Sequence, residues 1–285
     1  MQVHFRKYHG LGNDYLVIDP NVRDVDLTPD VIRLICDRNF GVGSDGILYG
    51  PVETDDGPEV RIFNPDGSEA EKSGNGLRIF AKYLFENKYV EGREFSIVTS
   101  GGTVRARIED ERANLIRIEM GAITFLSTEI PVSGPERQVI AEEIEIDGAR
   151  YKVTCLSIGN PHCVIPTEDV SESKARQLGP HVENHEMFPS RINMQLLKVI
   201  DRANIEIRIW ERGAGYTLAS GSSSCAAAGA AHGLGLVDDK INVKMPGGTL
   251  LVEIAEDGQI LMTGPVEGVF EGRFHPDMVE KINGK

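Results

Sequence analysis

Short runs of alternating apolar and polar side chains recur along the chain, and twice a longer run switches to helical spacing. In the first half the alternating runs are VHFRKYHG (3–10), DYLVID (14–19), VRIFN (60–64), FSIVTSGGTVRARIED (95–110) and LIRIEMG (115–121). In the second they are YKVTCLSI (151–158), HCVI (162–165), IEIRIW (205–210), INVKMPGGTLLVEIAED (241–257) and ILMTG (260–264). A period of two in β-branched and aromatic residues predicts strands. The helical runs are GLRIFAKYLFENKY (76–89) and SSCAAAGAAHGLG (223–235), each entered from a polar loop that ends in Ser-Gly. Lesser helices are predicted over PDVIRLICDRN (29–39) and near SKARQLGPHV (173–182).

The two halves are versions of one plan. GNDYLVI (12–18) aligns with GNPHCVI (159–165), and RIFNPDGSEAEKSGNG (61–76) with RIWERGAGYTLASGSS (208–223), both displaced by 147 residues. GGT at 101–103 recurs at 247–249, one residue out of step. Matches in the same order at nearly one displacement indicate an internal repeat. The predicted fold class is α+β, with many strands around one long helix, twice. The boundary is expected near Gly121, which gives domains over 1–121 and 122–267, with the tail from 268 to 285 returning to complete the first.

Composition narrows the partners. The 285 residues carry 40% hydrophobic and 26% charged side chains and a net charge of −14, as in a soluble globular chain. So acidic a surface repels nucleic acid and anionic membrane. A small zwitterion feels only the local field of its pocket. MQVHFRKYHG has no apolar stretch of the secretory kind, and no run nears the roughly 18 apolar residues that span a bilayer. A cytoplasmic location is expected. Cys36, Cys155, Cys163 and Cys225 form no CxxC, and the seven histidines no HExxH pattern, so neither a metal site nor a disulfide framework is expected.

The repeated Ser-Gly start carries the candidate chemistry. A helix N-terminus has unpaired N–H groups and a partial positive charge, and glycine lets an anion come close to both. Ser73 with Gly74 and Asn75, and Ser220 with Gly221 and Ser222, can each make such a nest. If the halves pack face to face, one carboxylate is held between two helix ends, with the serines flanking its carbon. At a single site the plainer reading is an N-cap serine with a turn-relieving glycine.

These residues lie within segments that resemble the diaminopimelate epimerase family along almost the whole chain. The segments are HGLGNDY (9–15), DRNFGVGSDG (37–46), RIFNPDGSEAEKSGNG (61–76), SIGNPHCV (157–164), INM (192–194), ERGAG (211–215), SGSSSCAA (220–227), PGG (246–248) and MTGP (262–265). The resemblance implies two pseudo-symmetric domains, each a β-barrel-like sheet around a central helix. It implies an active site in a cleft between them, and inversion at an amino-acid α-carbon without cofactor. By the same resemblance Asn13, Asn64, Asn160, Asn193 and Arg212 bind the far end of the substrate. Gly74, Asn75, Gly221 and Ser222 bind the carboxylate at the reacting end. His162 and Glu211 support the acid/base pair. The resemblance is also compatible with a homodimer. Plainer roles exist for several of these: Asn13 and Asn64 as turn caps, Asn160 before Pro161 as a turn start, Arg212 as an ion-pair partner of Glu211.

One departure bears on mechanism. The family's acid/base pair is two cysteines, and this chain has Ser73 and Ser220 there. A thiol at a helix N-terminus is a competent base; an alcohol needs a neighbour to take its proton. Tyr216 and Ser223 also differ from the family's usual carboxylate and glycine, and could reshape the pocket. Three readings follow: an epimerase whose serines work through His162 and Glu211, a diverged isomerase or dehydratase of the same superfamily that needs one base, and a non-catalytic amino-acid-binding protein.

Overall fold

The computed structural model describes residues 4–22 and 25–284. The expected first strand begins at Val3, which lies outside the described residues, as do Met1 and Lys285 at the ends of the expected domains. The chain forms two compact units, Met1–Ile118 with Gly264–Lys285, and Glu119–Thr263.

In the first unit β1 (His4–Gly10) pairs antiparallel with β2 (Asn13–Ile18). After α1 (Pro29–Cys36), β3 (Ile47–Thr54) runs parallel to β2, and β4 (Gly57–Phe63) returns antiparallel with the two-residue β5 (Glu69–Ala70) beside it. Next comes α2 (Gly74–Glu86), and then β6 (Glu94–Thr99), parallel to β4. β7 (Gly102–Ile108) and β8 (Leu115–Ala122) close the sequence as antiparallel neighbours. Parallel neighbours cannot be joined by a hairpin. The two parallel pairs therefore need crossovers, and α1 and α2 lie in them. Loop 37–46 follows α1 in the first.

The second unit repeats this connectivity. β9 (Glu142–Ile146), β10 (Ala149–Ser157) and β11 (Pro161–Pro166) are antiparallel neighbours. α3 (Glu172–Glu183) crosses to β12 (Asn193–Asp201), parallel to β11. β13 (Asn204–Glu211) returns antiparallel with β14 (Gly215–Thr217) beside it. α4 (Gly221–Gly233) crosses to β15 (Lys240–Met245), parallel to β13. β16 (Gly248–Ile254) and β17 (Gln259–Pro265) follow antiparallel. The tail then supplies β18 (Glu267–Arg273), which pairs with β1, and α5 (Pro276–Ile282).

The fold is α+β and pseudo-symmetric, each half a β-barrel-like sheet around a central helix. α2 packs against β1, β2, β3 and β7, so it is covered from several sides, and every residue from Asn75 to Leu84 is buried. α4 packs against β10 to β13, β15 and β16 and is buried from Ser223 to Ala231. Such enclosure explains its alanine-rich sequence. At Gly229 a Cβ would stand 2.9 Å from Ile123 Cδ1, so a side chain there would have to displace the tip of Ile123.

Several elements differ from the pattern-based expectation: β3, β5, β12, β14 and β18 were not foreseen as strands, although β18 lies in the tail expected to return to the first domain. α1 ends at Cys36 rather than near residue 39, because Asp37 Oδ1 accepts the N–H groups of Asn39 and Phe40 at 2.7 Å and turns the chain. β9 was not foreseen. It is joined to β10 by Asp147-Gly148, both at positive φ (51° and 74°), the geometry in which Asp-Gly favours a tight hairpin. α5 was not foreseen either. Its seven residues hold by packing Met278, Val279 and Ile282 onto the cluster that contains Phe5, Leu16, Ile32 and Phe63.

Candidate active site

In the first unit the site begins at the head of α2. Ser73 has extended backbone (φ −140°, ψ 115°) and N-caps the helix, its Oγ accepting from Gly76 N at 3.1 Å. The Ser73 carbonyl takes Leu77 N, so the N–H groups of Gly74 and Asn75 are those the helix leaves unused. β2 supports this turn. Asn13 and Tyr15, two apart on a strand, share a face. Asn13 Oδ1 accepts from Asn75 Nδ2 at 2.8 Å, and the Tyr15 hydroxyl lies 3.2 Å from Ser73 Oγ. Asn75 Oδ1 accepts from Arg78, which also reaches the Gly74 carbonyl.

An ionic cluster anchors Asn13 from behind. Asn13 Nδ2 and Asp14 N both donate to Asp45 Oδ2, at 2.9 and 3.1 Å. Arg38 contacts Asp14 and Asp45 at 2.7 Å each, and Lys7 contacts Asp14 at 2.7 Å. Burial raises the Asp14 pKa, but the bonds from Arg38 and Lys7 outweigh it and hold the carboxyl below its usual range. Asn64 sits apart in the β4–β5 turn. Its N–H goes to Ser68 O and its Nδ2 to Ser68 Oγ, so the turn-cap role describes its contacts.

The second unit has the equivalent helix head with different support. Ser220 N-caps α4 and accepts Ser223 N at 3.4 Å, which leaves the N–H groups of Gly221 and Ser222 unused by the helix. Beneath it runs a buried polar chain. Gln195 Nε2 donates to Ser223 Oγ and to His162 Nδ1, both at 3.0 Å. Since Nδ1 accepts, the ring proton is on Nε2, which donates to Asn160 Oδ1 at 3.0 Å. That fixes the Asn160 amide, whose Nδ2 turns to Ser222 Oγ at 3.4 Å. His162 is fully buried, and burial is the main cause that pushes its pKa down to about 3, with the positive charge of Arg212 adding to it. The ring is neutral, and both nitrogens are engaged.

The loop after β13 holds the remaining residues. Asn193 spans two chain segments, donating to Pro161 O and accepting Arg212 N at 2.8 and 2.9 Å. Arg212 Nη1 donates to Ser190 O, and the guanidinium forms no ion pair among the described residues. The Glu211 partnership weighed from the sequence is therefore absent there. Glu211 accepts from Thr217 Oγ1 at 3.1 Å. Glu183, buried, accepts from Trp210 Nε1 and Gly213 N and ties the loop to α3. Tyr216 lies under Arg176 of α3, with 4.7 Å from the guanidinium to the ring centroid, and packs on the α3-side core. Ser223 points into the buried chain.

Tyr15, Asp45 and Gln195 contact residues singled out from the sequence, and pattern reading missed them. Alternation could have found Tyr15 and Gln195: each lies two residues after an asparagine singled out on the same strand. Asp45 joins Asn13 only through the fold.

A family model described as diaminopimelate epimerase matches residues 5–126 and 154–269. "Diaminopimelate epimerase 2" of Nostoc sp. (strain PCC 7120) is 52% identical over 275 residues, covering 96% of each chain. The diaminopimelate epimerase of Moorella thermoacetica is 40% identical over 280 residues, which is 96% of this chain and 100% of that relative. Among solved structures, a probable proline racemase from Agrobacterium radiobacter aligns with a TM-score of 0.69 at 15% identity, covering 96% of this chain and 93% of its own. A phenazine biosynthesis protein of the PhzF family from Bacillus anthracis aligns at 0.67 with 19% identity, covering 96% and 99%. The distant structures share the fold. The sequence matches, extending over both halves of the repeat, show that this chain belongs to the diaminopimelate epimerase family.

Proposed function

We propose that this chain is an isomerase that inverts an α-carbon of diaminopimelate, LL to meso, without cofactor, with Ser73 and Ser220 as its acid/base groups. The observation that carries the reading is the pairing of the serines. Each caps a central helix, 147 residues apart, and each is followed by two unused backbone N–H groups. Removing an α-proton leaves a carbanion whose charge spreads onto the carboxylate. A carboxylate at a helix head, on the N–H groups of Gly74 and Asn75 or on those of Gly221 and Ser222, is stabilised most when that charge develops.

The other assignments follow the contacts. Arg212 has donors to spare for a carboxylate at the far end of the substrate, where a guanidinium grips two oxygens at once. Asn13, Asn160 and Asn193 are assigned to binding that end, Asn13 and Asn193 chiefly by holding their loops, and Asn64 is assigned to it by family resemblance alone, since its contacts are those of a turn cap. His162, neutral and enclosed, serves by orienting Asn160 rather than by accepting a proton. Glu211 supports the Ser220 side through Thr217. The setting is the cytoplasm, and the assembly a homodimer, for which the exposed Val269 and Phe270 of β18 offer apolar surface. Light scattering of wild type and Phe270→Asp measures that assembly: a monomeric wild type removes it.

A second reading has a specific observation behind it. The Ser73 oxygen has a phenol partner, whereas among the described residues the Ser220 oxygen has only a backbone N–H. One competent base suits a one-base isomerase of the same superfamily. Proton–deuterium exchange at the α-carbon of LL- and meso-diaminopimelate in D₂O decides among the readings. Exchange with inversion supports the epimerase, and exchange with retention the one-base reading. Binding with no exchange of either isomer leaves the amino-acid-binding reading.

A further inference from the structure

Tyr15 is placed to change what Ser73 can do. It is 6% exposed, and its ring occupies room that Gly46 leaves, since a Cβ at 46 would stand 2.6 Å from Tyr15 Cε1. The hydroxyl is thereby held 3.2 Å from Ser73 Oγ, while Gly76 N–H occupies another position on the same oxygen. At the equivalent serine, Ser220, Oγ accepts from Ser223 N–H at 3.4 Å. The difference between the two helix heads arises in β2, where period-two geometry sends Asn13 to Asn75 and Tyr15 to Ser73.

We propose that Tyr15 is a positioning residue and proton relay for Ser73, supplying through its phenol the acid/base capacity that an alcohol lacks. The proposal rests on the reading of Ser73 as one of the two groups at the α-carbon. A phenol ordinarily titrates near pH 10, far below an alcohol. With Tyr15 as phenolate, Ser73 Oγ takes the α-proton while its own hydroxyl proton passes to the Tyr15 oxygen. The C–H bond breaks, and its electron pair stays on the substrate carbon and carboxylate. Serine ends as alcohol and tyrosine as phenol, and reversal returns the proton. No other reactant is needed. Titratable and charged groups on the elements around Tyr15 include Tyr8, opposite it on β1, Asp14 beside it on β2, Asp45 in the loop before β3, and Arg78 on α2. Tyr8 bonds Glu86, at the far end of α2. Arg78 is buried at the helix head against Gly74 O and Asn75 Oδ1, and Asp45 is bound to Arg38.

The test compares wild type, Tyr15→Phe, Ser73→Ala and the double variant in α-proton exchange on diaminopimelate across pH, with KM and melting temperature alongside. The expected result is an exchange rate lower by roughly 10²-fold or more in Tyr15→Phe, a KM within about threefold of wild type, and loss of the rise in rate at alkaline pH. The double variant should be no slower than Ser73→Ala. If Tyr15→Phe fails to fold, 3-fluorotyrosine at position 15 keeps the hydroxyl but lowers its pKa, and should move the alkaline rise to lower pH. A wild-type rate and pH profile in Tyr15→Phe, or an unmoved rise with fluorotyrosine, overturns the relay and leaves the epimerase reading standing. No exchange in the wild type overturns that reading and the relay with it.

Discussion

At the scale of single residues, the question is what two hydroxyls do where thiols would be expected. If the geometry is already that of an epimerase and only the bases are weak, Ser73→Cys with Ser220→Cys should raise exchange on diaminopimelate by at least tenfold, and each single change by less. NMR of the α-proton in D₂O measures this. No gain from the double variant, with binding intact, would count against that geometry. Arg212→Lys should weaken binding by about 1.5–3 kcal/mol, because a point charge replaces a fork facing a carboxylate. Calorimetric titration with diaminopimelate checks it, and an unchanged affinity returns Arg212 to the Ser190 carbonyl alone.

His162 carries a prediction of another kind. Its folded pKa of about 3 lies below the unfolded value of about 6.5, so on acidification the unfolded chain takes the proton first. The stability tied to the neutral ring is complete above pH about 6.5 and is lost as pH falls toward about 3. Against His162→Gln, the wild-type advantage in urea denaturation should shrink on acidification, with a slope approaching about 1.4 kcal/mol per pH unit. A pH-independent difference would mean that the ring is not enclosed in solution.

At the scale of elements, each half supports its helix head differently. α2 is capped by a serine backed by a tyrosine and an ionic cluster, and α4 by a serine over the Gln195–His162–Asn160 chain. The central helices are hemmed in by sheet, so their side chains are set by volume. Gly229→Val should destabilise the protein by about 1–3 kcal/mol through overpacking against Ile123 and Leu156. Thermal denaturation measures it, and a neutral result would show that α4 has room to shift. Many of the strands and both central helices were legible because alternation and helical spacing are local properties; β3 and β12 were not, since each begins as a run buried on both faces with no alternation to read. α5 was not, since a seven-residue helix has too few turns for a period and exists by docking on a core built from distant segments.

At the scale of the whole molecule, the chain returns after more than one full repeat to complete its first unit. β18 pairs with β1, and Phe274 stacks 4.9 Å from Phe5. Phe274→Ala should cost about 3–5 kcal/mol, with hydrogen-exchange protection lost first in β1 and β2. Loss confined to the second unit would contradict this closure. The sequence by itself determined the repeat, the two central helices, the paired Ser-Gly caps and the family, because each is written in spacing or identity along the chain. Only the tertiary structure decided which groups stand behind the caps. Tyr15 meets Ser73 across 58 residues, and Gln195 joins His162 across 33 and Ser223 across 28. Such contacts depend on strand register and on which face of a sheet meets a helix, and neither is a property of any local stretch of sequence.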